Sequence, residues 1–563
     1  MFDRLFRKKS LDQVLENHVD ITPELIGVES DLNKGLGKSE MKRTLNVRDL
    51  TMMGIAAVIG AGIFSTIGMA AYQGGPGVVF LFIITAITCG FTALCYAEFA
   101  ARVPVSGSAY TYSYVAFGEV IAWIIGWSLI LEYAIGNIVV AISWSSYFNN
   151  MLEAINIYLP EWLISDSNTA KAAFLVGAEN IHSRAWLVAP EIMGFKFIIN
   201  LPAFLVVILV TILAYIGIKE SKRSANAMVV VKVAILAVVI ILGFFYIQSD
   251  NYVPFLPNGF KGVLMGVSAV FYAYIGFDAI STTAEECKNP QRDLPRAMMY
   301  TLVICTIIYV LTALVITGMV HYSKFQHVTD PLAFVFNYIN QPLIGKIISF
   351  SAVIAATSVM LIFQIGQPRI WMSMSRDGLL PKKFSKIHPK YKTPSFATII
   401  TGVLVAVPAL FIDANIVTDL TSIGTLFAFI LVCGGVLRLP KPRPEQKFKL
   451  PYFNSRYYMP VIFGIFTYFA WDRFYFNYQH LYEIALDEIL FVFYMIIAAF
   501  ISGYSIYKKY SLIPVLGLLC CLFLIIEIPV KSWIVFFFWM LLGLSIYFIF
   551  GYKNSKLNKS IVQ

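Results

Sequence analysis

VIGAGIFST, Val58 to Thr66, lies at the middle of the apolar run DLTMMGIAAVIGAGIFSTIGMAAYQGG. Gly60, Ala61 and Gly62 occupy the midpoint of a segment long enough to cross a bilayer, where glycine weakens a helix and leaves its backbone uncovered. Unwinding there frees N–H and C=O groups that each cost several kcal/mol in lipid, so the break has to face protein, water or a ligand. A second interruption matches it. AYIGFDAIST, Ala273 to Thr282, carries Gly276, and aligned on the glycine the two read IGAGIFST and IGFDAIST. They stand five spans apart and so run in opposite directions, the pattern of an inverted repeat whose paired breaks mark a binding site. Close packing through small residues is the competing explanation for a lone Gly-x-Gly; the echo at Gly276 counts against it.

The rest of the chain supplies the spans. Of its 563 residues 58% are hydrophobic and 13% charged, with a mean hydropathy of +0.72; a soluble chain carries about 25% charged residues. Apolar runs of spanning length begin near Asp49, Val78, Val120, Phe197, Ala227, Gly262, Met299, Ile344, Phe396, Val417, Met459, Ile489, Leu512 and Trp533. These predict an all-α polytopic membrane protein of about fourteen transmembrane helices. Charge orients it. Of the Lys and Arg residues only Lys171, Arg184, Lys196, Lys261, Lys324, Lys346, Arg473 and Lys531 fall in loops assigned outside, and Lys232 falls within a span. Both termini are therefore expected in the cytoplasm, in a multi-pass protein of the cell membrane with lipid as its surroundings.

The same accounting removes other functions. The net charge of +10 sits in inner loops as an orientation signal, so no nucleic acid partner is expected. Cys89, Cys95, Cys287, Cys305, Cys433, Cys520 and Cys521 avoid the long external loop, so neither a disulfide framework nor a metal site is expected. GLGKS at Gly35–Ser39 lacks the first glycine of a phosphate-binding loop. His321 and His327 have no neighbouring acid or cysteine cluster and read as loop residues. Without a nucleophile motif the chain is not expected to be an enzyme, and its short tails leave no room for a sensor's output domain.

Five blocks carry a resemblance: GIAAVIGAGIFSTIG, RVPVSGSAYTYSYVAFGE, FYAYIGFDAISTTAEECKNPQRDLP, GQPRIWMSMSRDGLLP and LTSIGTLFAFILVCGGVLRL. In this order they closely resemble the amino acid-polyamine-organocation superfamily, specifically its cationic amino acid transporter branch. The resemblance implies a LeuT-type core of five plus five inverted spans, with spans one and six discontinuous and alternating access to an amino acid. The expected organisation is a basic amphipathic segment over 1–48, the ten-span core over 49–438 with a long external loop at 151–196, two inserted spans over 457–507, the last two spans over 512–551 and a cytoplasmic tail over 552–563.

A zwitterion suits a broken helix. Its carboxylate meets the N–H groups of the half-helix beginning after Gly60, and its ammonium meets freed carbonyls. The resemblance thus implies substrate binding by Val58, Gly60, Ala61, Gly62, Tyr272, Ala273, Ile275 and Phe363, with Tyr272 as an aromatic gate. Phe363 corresponds to the side-chain end of the pocket, where a large ring favours small or medium neutral amino acids over arginine. Three ionisable residues fall at depth. Lys232, in NAMVVVKVAIL, either snorkels to the inner surface or occupies the place where sodium-driven relatives hold an ion; a lysine held away from water is a candidate proton switch. Glu132 is expected near the substrate or proton path, and Asp278 either shares that path or caps the second half-helix. Glu98 reads as a structural partner of inner basic residues. The expectation is import by proton symport, without cofactor or sodium site; exchange or facilitated diffusion, with cationic substrates included, is the alternative.

Overall fold

The structure is a computed structural model that describes residues 7–8, 44–60, 62–103, 108–175, 181–192, 194–326, 328, 330–439, 448–479 and 486–557. Ala61, His327, GLGKS and most of the 1–48 segment lie outside the described residues.

Helices stand at each place where the sequence marks a span. The first is α1 (Val47–Val58), a π segment (Gly62–Thr66) and α2 (Ile67–Gly74); then come α3 (Val78–Arg102), the short α4 (Ser108–Ala116) and α5 (Glu119–Ala154). The long loop after α5 carries α6 (Ser167–Leu175), α7 (Ile181–Val188) and a two-residue hairpin, β1 (Glu191–Ile192) with β2 (Phe195–Lys196). Beyond it lie α8 (Leu201–Ile216), α9 (Ile218–Phe244), α10 (Gly259–Met265), α11 (Val267–Tyr274), a 3-10 stretch (Phe277–Glu286) and α12 (Pro290–Met319). The chain continues with α13 (Pro331–Tyr338), α14 (Pro342–Arg376), α15 (Ser395–Ala409), α16 (Ala414–Val436), α17 (Ser455–Gln479), α18 (Leu486–Lys508), α19 (Leu512–Ile526) and α20 (Val530–Ile546). On length and composition eight described helices can cross a membrane, or nine with the bent pair α10 and α11, while α8, α15 and α19 are apolar but shorter. The protein is therefore a polytopic, all-helical membrane protein.

The long helices α5 and α14 pack along each other, as do α3 with α12 and α5 with α16. Side chains that face outward, such as Leu209, Ile241, Phe350 and Phe500, are apolar and exposed, as lipid contact requires. At one end of the bundle the chain around Leu45 pairs with the segment after the second break: the Thr44 and Leu45 N–H groups donate to the Glu286 carbonyl at 2.9 and 3.0 Å. Glu286 and Arg369 form a buried ion pair beside them. Glu98 takes Arg102 Nε–H at 2.8 Å and the Leu450 N–H at 2.8 Å, the structural pairing its sequence position suggested. The long loop after α5 folds on Ala170, Ala185 and Ile198 with Trp162 and Trp186 against them. Helices α17 and α18 join α19 in a separate apolar cluster around Met459, Tyr494 and Val515.

A cleft between two broken helices

Both interruptions are built as the sequence demands. A capping box starts α1, with the Asp49 N–H donating to Asn46 Oδ1 at 3.0 Å and the Asn46 N–H to Asp49 Oδ2 at 3.1 Å. The helix ends when Ile59 turns extended at φ −75°, ψ 100°. The second break has Ile275 extended and Gly276 at φ +112°, a backbone conformation that side chains resist. The two breaks lie directly on each other. A Cβ on Gly62 would stand 2.3 Å from Ala273 Cα, and one on Gly276 would stand 2.9 Å from Ala57 Cβ.

Freed carbonyls of the first break are met by side chains from three other helices. Tyr309 of α12 donates its hydroxyl to Val58 O at 2.8 Å. Tyr147 of α5 donates to Phe64 O. Lys232 of α9 donates from Nζ to Ala56 O at 2.8 Å, Ile59 O at 2.6 Å and Ser358 Oγ at 2.7 Å, and it is wholly buried. It does not snorkel. Six residues from Asn226 the stem has the reach, but three acceptors at the break hold the ammonium inward.

Val58, Gly60, Gly62, Tyr272, Ile275 and Phe363 line one cleft, as the sequence suggested, with Ala57, Val140 and Val359 added. Its free volume is about 10 Å³, near the space of one water. Ala273 is not on the cleft wall; it is the surface on which Gly62 rests. Tyr272 closes the cleft by donating its hydroxyl to Gly136 O of α5 at 3.1 Å. Val140 and Val359 carry no sequence signal beyond apolarity. Ser358 and Tyr309 do: a polar group within an apolar run needs a partner, and the break supplies one.

Tyr133 stands between Phe363 and Asp278, and Glu132 precedes Tyr133 on α5. The Phe363 ring meets Tyr133 edge-on, centroids 5.4 Å apart, and the Tyr133 hydroxyl donates to Asp278 Oδ2 at 3.4 Å. The carboxyl groups of Glu132 and Asp278 are buried, and Glu132 Oε2 and Asp278 Oδ1 have no hydrogen-bond partner within the protein. A chain of amides backs the same wall: Asn137 Nδ2–H donates to Gln364 Oε1 at 2.7 Å, and Gln364 Nε2–H to Thr211 Oγ1 at 2.8 Å.

The chain that builds this site has relatives. The amino acid permease family model matches residues 45–502, and the model for the C-terminus of these permeases matches 509–555. The chain belongs to the amino acid permease family. This permease is 36% identical over 557 residues to the branched-chain amino acid permease BcaP of Bacillus subtilis (strain 168), covering 99% of each chain. It is 36% identical over 522 residues to the methylthioribose transporter of the same organism, covering 92% of this permease and 95% of that one. The vacuolar cationic amino acid transporter 4 of Arabidopsis thaliana is 36% identical over 420 residues, 73% of this chain and 66% of its own. The permease is a transporter and not an enzyme.

Proposed function

We propose that this permease imports small or medium neutral L-amino acids across the cell membrane by proton symport and alternating access. The proposed frame is a LeuT-type core of five plus five inverted spans within about fourteen transmembrane helices, both termini in the cytoplasm. The reciprocal seating of Gly62 on Ala273 and Gly276 on Ala57 supports a two-fold relation between the breaks. Bacterial relatives of full length support the cell membrane.

The observation that carries the coupling is the bonding of Lys232. An ammonium has three donors, and here they meet three acceptors. Ser358 gives its own proton to Ala355 O at 2.8 Å, so toward Lys232 it can only accept. A neutral amine has two donors. Loss of the proton therefore strands one acceptor at the break and loosens α1 from α9 and α14. Glu132 and Asp278, each with one carboxyl oxygen unpartnered by protein, are the groups by which the proton travels on the other side of the cleft. No cofactor and no sodium ion enters this scheme.

Substrate follows from the walls. Backbone N–H groups from Gly62 onward suit the carboxylate and the freed carbonyls suit the amino group. Val140, Ile275, Val359 and Phe363 face the side-chain end without a charge among them, which fits the branched-chain relative better than the cationic ones. Admission of even a medium side chain requires Phe363 and Tyr272 to turn aside. A second reading is favoured by the methylthioribose transporter: a neutral thioether sugar also suits an uncharged wall.

Purified permease in proteoliposomes tests both. An inward-acid gradient should drive leucine, isoleucine or valine above the equilibrium level, with methylthioribose and arginine failing to compete. Counterflow without uphill accumulation makes the protein an exchanger, and competition by methylthioribose alone moves it to the sugar reading.

A further inference from the structure

A second cavity, of about 500 Å³, lies away from the transport cleft. Three helices end at it. Phe245 and Tyr246 follow α9, Met319 and Val320 close α12, and Tyr338 and Ile339 close α13. The last carbonyls of a helix have no partner within it and carry the negative end of its dipole. No Asp, Glu, Lys or Arg lines the cavity; His321 does, with its Nδ1 held on Ser323 Oγ at 2.9 Å, and the three C-termini lend the cavity their negative ends. Phe245, Tyr246 and Tyr338 add aromatic rings, whose faces attract cations. Ile247, Gln248, Asn251 and His321 complete the lining; Gln248 and Asn251 are both fixed on Gly318 O, through the Gln248 N–H at 3.0 Å and Asn251 Nδ2–H at 2.8 Å. That carbonyl is occupied, and the amides hold the ends of α9 and α12 together while the cavity stays open.

We propose that this cavity binds an alkyl-ammonium group. It is separate from the transport cleft, sharing no lining residue with it, and the proposal stands whether or not proton symport does. Two sources offer the chemistry: a soluble amine, or the ammonium of a phospholipid headgroup. The rim bears on the second, because Phe244, Phe245, Tyr338 and Leu343 are exposed around the helix ends, as aromatic and apolar residues are at a membrane interface.

The full-length permease is tested by native mass spectrometry for retention of phosphatidylethanolamine against phosphatidylglycerol of the same acyl chains, and by titration with tetramethylammonium and with free ethanolamine. Preferential retention of the ethanolamine lipid, weakened about tenfold in Tyr246→Leu/Tyr338→Leu, assigns a headgroup site. Saturable binding of the free amines with the same loss assigns a soluble ligand. Neither tyrosine lines the transport cleft, and an unchanged thermal melting transition in the double variant certifies its fold. Equal retention of both lipids with no amine binding overturns the proposal, as does amine binding or lipid preference that the double variant leaves intact.

Discussion

At the scale of single residues, Lys232 and Phe363 make the sharpest commitments. Lys232→Met removes three hydrogen bonds and leaves Ala56 O and Ile59 O buried at the break, at roughly 1–3 kcal/mol for each stranded group. Uphill accumulation should vanish and the melting temperature fall. Ser358→Ala keeps the ammonium with two of its three partners, so it should retain uptake with weakened coupling; full coupling in Ser358→Ala would separate the proton from this cluster. Phe363→Ser takes the ring from the side-chain end and from Tyr133, and should extend acceptance toward arginine or lysine. Unchanged preference in a competition assay would remove Phe363 from specificity. The sequence announces Lys232 because a lysine at mid-membrane depth breaks a rule that the lipid imposes, whereas Phe363 is singled out only by the family resemblance. It is silent on Val140 and Val359, since an apolar side chain on a cleft wall looks like any other on an apolar helix. It also groups Ala273 with the cleft, when close approach makes it the bearing surface for Gly62.

At the scale of elements, the paired breaks were legible because both strands of the argument are in the letters: glycine where helices dislike it, and the same Ser-Thr ending after each. What the letters do not contain is the contact between the breaks. Gly62→Ala should abolish transport, since its Cβ would meet Ala273 Cα at 2.3 Å and backbone cannot turn aside as a side chain can. Gly276→Ala adds the strain of φ +112° to a clash with Ala57 and should fold less well. Gly464, inside α17, has nothing within 4 Å of a Cβ, so Gly464→Ala should leave transport unchanged and stabilise the helix by about 1 kcal/mol. Uptake rate and thermal melting of the three variants check the contrast; equal loss in Gly464→Ala would tie α17 to the transport cycle. Arg473 ties that helix to Glu488 of α18 at 2.9 Å and to Glu527 just past α19 at 2.7 Å, and Glu488 also reaches Lys261 of α10 at 3.0 Å.

At the scale of the whole molecule, alternating access needs closures on both sides of the cleft, and the one opposite the Glu286–Arg369 pair contains a titratable group. Asp330 precedes α13 and accepts Asn150 Nδ2–H of α5 at 3.1 Å, while Pro331 lies 3.1 Å from where a Cβ on Gly68 of α2 would stand. The contact therefore joins α5, α2 and α13 over the broken first helix. Burial raises the Asp330 carboxyl from 3.8 to about 6, because this arrangement disfavours its charge. The sign follows from linkage: stability from this group is full below pH 3.8 and is lost as the pH rises through about 6. Acid on the Asp330 side should favour this closure, and neutral pH there should favour its opening. Asp330→Asn keeps an acceptor for Asn150 and removes the titration. The variant should lose the part of the uptake pH profile centred near 6 while still concentrating substrate, since Lys232 is untouched. Initial rates against outside pH, at a fixed gradient, decide it: a profile identical to wild type would leave Asp330 a structural contact and put the whole pH response at the cleft.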